Sequence, residues 1–329
     1  MARTLSFSEA TLEAMQEEMR RDATVFLMGE DIAKQGGIFG QFKGLPDEFG
    51  LDRVRDTPIS EAALVGAGVG AALAGCRPVV DMHFADFITC AMDEVVNQAA
   101  KLRYMFGEQC RVPMTLRAPD GITKSAGSQH SQALEGWFVH TPGLEVVIPA
   151  DAEDAKGLLK AAIRSDNPTL YFEHKTLFPQ KGTVPDDDDF VIPLGKAKTM
   201  RDGRDVAIVT YGITVGRALE AAAQLETEGI EATVINLRSL WPLDYDAIAN
   251  AVARTHRLVV AHEAVRVGGV GAEIAAWAGE HCFDELDAPV VRLGAAHVPV
   301  PFAPALQEAM YPKAPAIADA ARRLVRKEL

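Results

Sequence analysis

Cysteine and long apolar runs are scarce in this sequence, and their scarcity excludes several classes of protein. Four cysteines occur among 329 residues, Cys76, Cys90, Cys110 and Cys282, and no two of them form a CxxC pair. Widely spaced single cysteines indicate reduced, mostly buried thiols in a cytoplasmic protein. No apolar run is long enough to span a bilayer, and the N-terminal stretch lacks the apolar core of a signal peptide. We therefore expect neither a membrane span nor a secretion signal.

Basic residues are fewer than acidic residues in this sequence. Lys and Arg number 33 against 46 Asp and Glu, which gives a formal net charge of -13. Nucleic acid and anionic membrane surfaces are bound through clustered Lys and Arg, so we expect neither as the main partner. The 48% hydrophobic content is typical of a soluble globular protein, and 329 residues are enough for about two domains.

Short β-rich runs alternate with helical patterns along the chain. Runs such as VFLM (25–28) are continuously apolar, which is typical of strands in a parallel sheet covered on both faces. Prolines, glycines and four consecutive aspartates interrupt the pattern at 179–195. We therefore predict an α/β fold of two domains, each a mostly parallel sheet covered by helices. The predicted boundaries are 1–180 for the first domain, 181–195 for the linker and 196–329 for the second domain.

The stretch DTPISEAA (56–63) places a carboxylate, Glu61, at the start of a helix made almost wholly of small apolar residues. Pro58 favours a loop, and Ser60 suits a helix cap. In the purely structural interpretation, the negative charge of Glu61 complements the helix dipole. The next two turns carry no polar residue, however, and a carboxylate at a buried helix mouth needs a hydrogen-bonding partner, which can be a ligand.

Two glycine-rich stretches match nucleotide-binding loops only in part. The stretch 258–278 has a strand, a glycine loop and a helix, but Ile274 stands where the dinucleotide fingerprint requires its third glycine. The glycines of GAGVGAALAG (66–75) lie inside a helix instead of a loop. Close backbone packing is therefore the better interpretation of both stretches.

A histidine and an aromatic pair are further candidates. His130 stands among small polar residues in SAGSQHSQ (125–132), where it is either an ordinary surface histidine or an acid, base or hydrogen-bond donor. The aromatic residues of HFADF (83–87) either fill the core or stack on a heteroaromatic cofactor. The other histidines form no HExxH motif and no Cys/His cluster, so catalysis by zinc finds no support.

Six stretches together resemble the beta subunits of the heterotetrameric thiamine-diphosphate-dependent 2-oxo acid dehydrogenases, which include the pyruvate, branched-chain and acetoin dehydrogenases. These stretches are GEDI (29–32), RDTPISEAALVGAGVGAALAGCRPV (55–79), NQAAKLRYM (97–105), SAGSQHSQ (125–132), HTPGLEVVIPADAEDAKGLLKAAIRSDNP (140–168) and HEAVRVGGVGAEIAA (262–276). The resemblance covers nearly the whole chain. It implies a pyrimidine-binding N-terminal domain and a transketolase-like C-terminal domain.

The resemblance implies roles for the candidate residues. Glu61 would hydrogen-bond the aminopyrimidine of thiamine diphosphate and favour the imino form that generates the ylide. Ile59, His83 and Phe87 would line the pyrimidine pocket, with Phe87 against the ring. His130 would face the incoming lipoyl group. His83 is a departure, because the family leads us to expect Met or Gln at this position, and we expect the change to tune substrate choice.

The resemblance also implies partners and ions. The chain has no GDG motif for the Mg2+ that holds the diphosphate, so an alpha subunit would supply that half of the site in an α2β2 heterotetramer. The complex would also bind a dihydrolipoyl acyltransferase and its lipoyl domain. A K+ ion would be held by main-chain groups, with Ser165 in place of the usual Asp, and its candidate ligands are Met114, Ala162, Ile163, Ser165 and Asn167.

The predicted function is oxidative transfer of an acyl group from pyruvate or acetoin to lipoamide. A branched-chain 2-oxo acid is the alternative substrate, because the pocket that reads the substrate is shared with the alpha subunit. Two other functions stay open, a two-part transketolase acting on sugar phosphates and a non-catalytic scaffold that only stabilises its partner.

Overall fold

The computed structural model describes residues 2–328 and divides them into two compact units. Unit 1 comprises the residues up to Asp120 together with Trp137–Leu194, and unit 2 comprises Gly121–Gly136 together with the residues from Gly195 onward. Both units are α/β, with mostly parallel sheets covered by helices, which confirms the predicted fold class. The domain boundaries drawn from the sequence remain a prediction about independent folding, which separate expression of each domain would test.

Unit 1 is built on a parallel sheet. Its strands are β1 (Ala2–Ser6), β2 (Val25–Gly29), β3 (Val54–Asp56), β4 (Arg77–Asp81), β5 (Thr115–Asp120), β6 (Glu145–Val147), β7 (Thr169–His174) and β8 (Lys181–Pro185). Six of them run parallel in the order β6-β7-β5-β4-β2-β3, while β1 and β8 form a separate antiparallel pair. Every residue of β5 and β7 is buried, as expected for central strands covered on both faces.

Six α-helices lie in unit 1, and a seventh, Glu135–Val139, begins with two residues of unit 2 before it continues into unit 1. They are α1 (Phe7–Arg21), α2 (Ile32–Gln35), α3 (Leu45–Phe49), α4 (Glu61–Leu73), α5 (Ala100–Met105), α6 (Glu135–Val139) and α7 (Ala152–Arg164). Helix α4 packs so closely on the sheet that a Cβ atom on Gly68 would lie 2.5 Å from Val80 and 3.0 Å from Met114. Gly68 therefore serves close packing, as the sequence indicated for this stretch, whereas a Cβ atom on Gly70 would meet nothing within 4 Å.

Unit 2 contains a smaller sheet. The strands of this unit are β9 (Lys198–Arg201), β10 (Val206–Thr210), β11 (Ala232–Asn236), β12 (Ser239–Trp241), β13 (Leu258–Val265) and β14 (Val291–Ala295). Five of them form a sheet in the order β14-β13-β10-β11-β9, in which only β9 is antiparallel to its neighbour. Its helices are α8 (Thr214–Glu226), α9 (Tyr245–Thr255), α10 (Val270–His281), α11 (Pro304–Met310) and α12 (Ala314–Arg326).

The structure corrects three details of the sequence interpretation. Of the four cysteines, only Cys282 is buried, and Cys90 is exposed. The sequence pattern over 94–106 predicts a single helix, but this segment opens with a π-helical turn, Glu94–Ala99, before α5 begins. The predicted linker contains strand β8, because Lys181–Pro185 pairs with β1 instead of running as a free connection. No helix among residues 2–328 is long and apolar enough to cross a bilayer.

Candidate functional site

Three neighbouring strands of unit 1 end at the same edge of the sheet, and the predicted cofactor residues follow them. In the register of the sheet, Gly29 at the end of β2 is paired with Asp56 at the end of β3 and with Asp81 at the end of β4. Ligands of open α/β sheets bind outside the carboxyl ends of the strands. Ile59 and Glu61 follow β3, and His83 and Phe87 follow β4, so the fold gathers all four predicted residues at this edge.

Hydrogen bonds hold two of these loops side by side. The Thr57 N–H donates to the main-chain oxygen of Gly29 at 2.9 Å, and the Ala33 N–H donates to Oδ1 of Asp56 at 2.7 Å. The loop that leads into α4 is therefore fixed against the loop that follows β2. This contact brings Glu30, which comes directly after β2, into the neighbourhood of Glu61.

Glu61 is the first residue of α4, and its surroundings differ from the expectation. Ser60 occupies the N-cap position, but its side chain makes no capping hydrogen bond. The mouth of the helix is open to solvent instead of buried, since Ile59 is 81% exposed and Glu61 is half-buried. The Glu61 carboxylate makes no hydrogen bond and no ion pair with any other residue of the described range 2–328. An unpaired, half-buried carboxylate at this edge is suited to bind a ligand.

Glu30 is a site residue that the sequence interpretation missed. It is only 5% exposed, and burial raises the pKa of its carboxyl group. The nearby charge of Glu61 acts in the same direction, whereas His83 opposes the rise in pKa. His83 lies with Nδ1 3.1 Å from Oε2 of Glu30. The signal for Glu30 was available, because an acid that directly follows an apolar parallel strand points to the ligand edge of the sheet.

A buried ion network lies behind this edge. Arg117 on β5 is completely buried and pairs with Asp81 and with Glu173, while its guanidinium lies 4.8 Å from the ring centre of Phe42. Thr11 donates a hydrogen bond of 2.7 Å to Glu173. Since a buried cation between two carboxylates is costly to break, this network fixes the end of β4, where His83 follows.

Phe87 is placed to present a ring to a ligand. It is half-buried and packs edge-on against Phe84, with 6.0 Å between the ring centres. The 3-10 helix Ala85–Ala91 carries it. The ring is thus held by a neighbouring aromatic side chain while part of it remains accessible.

His130 lies in unit 2, within the segment Gly121–Gly136. It is half-buried in a stretch without helix or strand. Side chains of unit 2 anchor this segment: Glu263 accepts from the Ile122 N–H at 2.7 Å, and Gln307 donates to the Thr123 carbonyl at 3.0 Å. Ser128 donates to the Val300 carbonyl at 2.8 Å. The segment that carries His130 is therefore fixed on unit 2, which no sequence signal indicated.

The proposed K+ ligands are near one another in unit 1, but a guanidinium is already present among them. Arg77 donates from Nη1 to the main-chain oxygens of Ile163 at 3.1 Å and Ser165 at 2.8 Å, and from Nη2 to Asp166 at 2.6 Å. Two of the predicted oxygens thus converge on a positive charge that the chain itself provides. These residues fit a K+ ion only in competition with Arg77.

Other predicted K+ ligands also have hydrogen-bonding partners. The carbonyl of Met114 accepts from the Thr169 N–H at 2.9 Å, and the carbonyl of Ala162 accepts from the Ser165 N–H at 3.2 Å. The Ser165 hydroxyl donates to Glu145 at 2.7 Å. Elsewhere in the described part of the chain, no group of three or more His, Cys, Asp or Glu side chains could hold a metal ion.

The sequence matches two family models that agree with this architecture. Residues 3–181 match the transketolase pyrimidine-binding domain, and residues 195–317 match the transketolase C-terminal domain. The chain belongs to this transketolase-like family, which confirms the resemblance seen in the sequence. A solved split-gene transketolase, described as an inactive beta4 tetramer, has the same fold, with a TM-score of 0.80 over 98% of both chains at 24% identity.

Several relatives are beta subunits of dehydrogenases. The chain is 47% identical to the Acetoin:2,6-dichlorophenolindophenol oxidoreductase subunit beta of Bacillus subtilis, over 95% of this chain and 94% of the relative. It is 44% identical to the 2-oxoisovalerate dehydrogenase subunit beta of the same organism, over 92% and 93%. It is 42% identical to the pyruvate dehydrogenase E1 component subunit beta of Rhizobium meliloti, over 98% of this chain and 70% of the relative. These three identities are so close to one another that they do not distinguish among acetoin, 2-oxoisovalerate and pyruvate as substrates.

Proposed function

We propose that this chain is the beta subunit of a thiamine-diphosphate-dependent dehydrogenase that acts on pyruvate or acetoin and transfers the acyl group oxidatively to lipoamide. The observation that carries the proposal is the unpaired carboxylate of Glu61 at the carboxyl edge of the unit 1 sheet. Beta subunits among its relatives support the class of reaction.

The residues at this edge fit the pyrimidine half of the cofactor. Glu61 would hold a proton in a hydrogen bond to the aminopyrimidine, and the accessible ring of Phe87 would lie against the heterocycle. Ile59, 81% exposed in this chain, would be covered when the cofactor and a partner subunit bind. Bound thiamine diphosphate supplies a nucleophilic carbon for attack on the substrate carbonyl. In this arrangement Glu61 orients the cofactor and controls the proton on its pyrimidine ring.

The diphosphate and its Mg2+ would be held by an alpha subunit in an α2β2 heterotetramer. Two features of this chain support that assembly. The sequence has no GDG motif. Unit 1 also exposes large apolar side chains that a lone subunit would leave in water: Leu51, Ile59, Tyr104, Met105 and Phe106 are each more than half exposed, up to 87% for Tyr104.

His130 would serve the second half of the reaction. We assign it to the lipoyl group of a dihydrolipoyl acyltransferase, where an imidazole can protonate or orient the sulfur that receives the acyl group. Its anchored position in the segment Gly121–Gly136 supports a defined role. Glu263 and Gln307 restrain the backbone at residues 122–123, which precede His130 in this segment.

At the loop 163–167, we propose that Arg77 supplies the positive charge, with K+ as the alternative. Arg77 contacts two of the five main-chain groups expected to bind the ion. Both arrangements would hold the loop by the same carbonyl oxygens, so they predict the same fold. They differ in the effect of K+ on stability, because only the second arrangement needs the ion.

The proposal is tested by co-expressing this chain with an alpha-type chain and measuring turnover of pyruvate, acetoin, a branched 2-oxo acid and a ketose phosphate. Turnover of pyruvate or acetoin above the others supports it. Faster turnover of the branched acid assigns the chain to the branched-chain type, and turnover of the ketose phosphate alone indicates a two-part transketolase. An assembled complex whose activity is unaffected by Glu61→Gln would point to a scaffold.

A further inference from the structure

His83 contacts Glu30 through both of its ring nitrogens. Nε2 lies 3.1 Å from the main-chain oxygen of Glu30, and Nδ1 lies 3.1 Å from Oε2 of its side chain. A carbonyl oxygen can only accept, so Nε2 carries a proton. A neutral imidazole then has no proton on Nδ1. The contact between Nδ1 and Oε2 therefore requires one further proton between the two atoms.

That proton has two possible locations. Either the Glu30 carboxyl group is protonated and donates to Nδ1, or the His83 ring is an imidazolium and donates to the carboxylate. Transfer from Oε2 to Nδ1 breaks one O–H bond and forms one N–H bond, and the net charge of the pair is zero in both forms. We propose that Glu30 and His83 share this single proton and that the pair controls the ionisation of Glu61.

The charges around the pair favour keeping the proton. The carboxylates that act on Glu30 are those of Asp31, Glu61 and Asp81. Together with burial they raise the pKa of Glu30, because a further negative charge in this place is unfavourable.

Three cations lie in the same region, and each is engaged elsewhere. Lys34 lies 4.0 Å from Asp56. Arg117 is paired with Asp81 and Glu173. The ammonium of Lys175 lies 5.1 Å from the ring centre of Phe84, the residue after His83. His83 is thus the basic group in direct contact with Glu30, and a Met or Gln at this position could not hold a proton.

The consequence for Glu61 rests on the proposed function, whereas the shared proton does not. While the pair keeps its proton, Glu61 has an uncharged neighbour. Loss of the proton places a second negative charge beside Glu61 and disfavours its ionised form. The pair would in this way set the pH range in which Glu61 can exchange a proton with the cofactor.

The shared proton is tested by NMR titration of the full chain labelled with 13C and 15N in histidine. The His83 signal is identified by its loss in His83→Gln, whose amide can still donate to the Glu30 carbonyl. While the pair holds its proton, we expect the 15N shift of Nδ1 to lie between the values of a protonated and an unprotonated ring nitrogen, and to move to the unprotonated value in Glu30→Gln. Glu48→Gln, which removes an exposed carboxylate paired with Arg20, is the matched control and should leave this shift in place. An unchanged Nδ1 shift in Glu30→Gln would overturn the proposal.

The link to Glu61 is tested in the complex reconstituted with the alpha subunit. In His83→Gln, Glu30 has no base with which to share its proton and loses it at lower pH than the pair does. Its charge then disfavours the ionised form of Glu61, so the pH profile of kcat/KM should move to higher pH by about one unit. A uniform loss at every pH would show that His83 only packs the loop, and an unmoved profile would show that Glu61 ionises independently of the pair. If the complex is inactive in every form, the proposed function fails while the titration still decides the shared proton.

Discussion

The hydroxyl group of Tyr211 donates a hydrogen bond of 2.7 Å to Oε1 of Glu135, a carboxyl group that is almost fully buried. Glu135 is the second-last residue of the segment that carries His130, and Tyr211 follows strand β10 of unit 2. Burial raises the pKa of Glu135, and the charge of Glu263 adds to the rise, while the Tyr211 hydroxyl opposes it. This bond joins the segment Gly121–Gly136 to the sheet of unit 2.

Replacing Glu135 by Gln should make the free energy of unfolding less sensitive to a rise in pH above the ordinary carboxyl range. The folded wild type holds a proton that the unfolded chain releases above its ordinary pKa, so the wild type loses stability as pH rises through the raised pKa. Gln keeps the acceptor for Tyr211 and cannot ionise. Urea unfolding at pH 5 and pH 8 should show that the free energy of unfolding of the variant increases relative to that of the wild type as pH rises. The exposed control Glu280→Gln should show no such trend. A difference independent of pH would contradict the buried-acid account.

His262 should make the protein less stable in mild acid. Burial lowers the pKa of its ring to about 4, while the unfolded histidine titrates near 6.5. The folded ring stays neutral when the unfolded chain takes up a proton, so stability falls as pH drops below 6.5, by about 2 kcal/mol between pH 7 and pH 5. His262→Asn keeps a donor for the Ala264 carbonyl and should remove this part of the loss. Equal losses in the wild type and the variant, with exposed His281→Asn as the control, would refute the assignment.

Arg77 should make the loop 163–167 independent of K+. Melting temperatures of the wild type should be the same in KCl and in NaCl of equal concentration. Arg77→Gln removes the charged donor to Ile163 and Ser165 and should cost about 2 kcal/mol of stability, part of which K+ restores better than Na+.

The matched control for this experiment is Arg111→Gln. Arg111 contacts the other oxygen of Asp166, at 2.6 Å, and is itself 65% exposed. Its loss should cost little, because exposed ion pairs contribute little. A K+-specific rise in the melting temperature of the wild type would instead assign a potassium site to this loop.

His130 should matter only for transfer to the lipoyl group. His130→Ala in the reconstituted complex should slow acylation of a lipoyl domain roughly a hundredfold or more, the effect of losing one general acid, while reduction of an artificial electron acceptor continues. The exposed His140 provides the control variant His140→Ala. Equal losses in both assays would place His130 in cofactor binding or the first carbonyl addition, and no loss in either would make it an ordinary surface histidine.

Much of the fold could be predicted because its signals are local. Apolar runs marked the buried parallel strands, and the small residues of α4 marked a helix packed on the sheet at Gly68. Glu61 and the aromatic residues of 83–87 were candidates from the sequence pattern, and the resemblance added Ile59 and His83. The sheet register brings the loops that carry them to one edge.

What the sequence could not predict depends on contacts between distant segments. Whether the start of α4 at Glu61 is exposed depends on which distant segments pack over it, and the local sequence does not carry that information. Glu30 becomes a site residue only because β2, β3 and β4 are neighbours in the sheet. The grouping of Gly121–Gly136 with unit 2 depends on hydrogen bonds to Glu263 and Gln307, which lie more than a hundred residues along the chain.

The most direct test of the account is the activity of the reconstituted complex carrying Glu61→Ala. Because Glu61 is proposed to act before any bond to the substrate forms, the variant should lose both reduction of the artificial acceptor and acylation of the lipoyl domain, by a hundredfold or more. Gel filtration must show that it still assembles with the alpha subunit, and Glu48→Ala should keep both activities. An assembled Glu61→Ala complex that still reduces the artificial acceptor at the wild-type rate would contradict the central claim that Glu61 activates the cofactor.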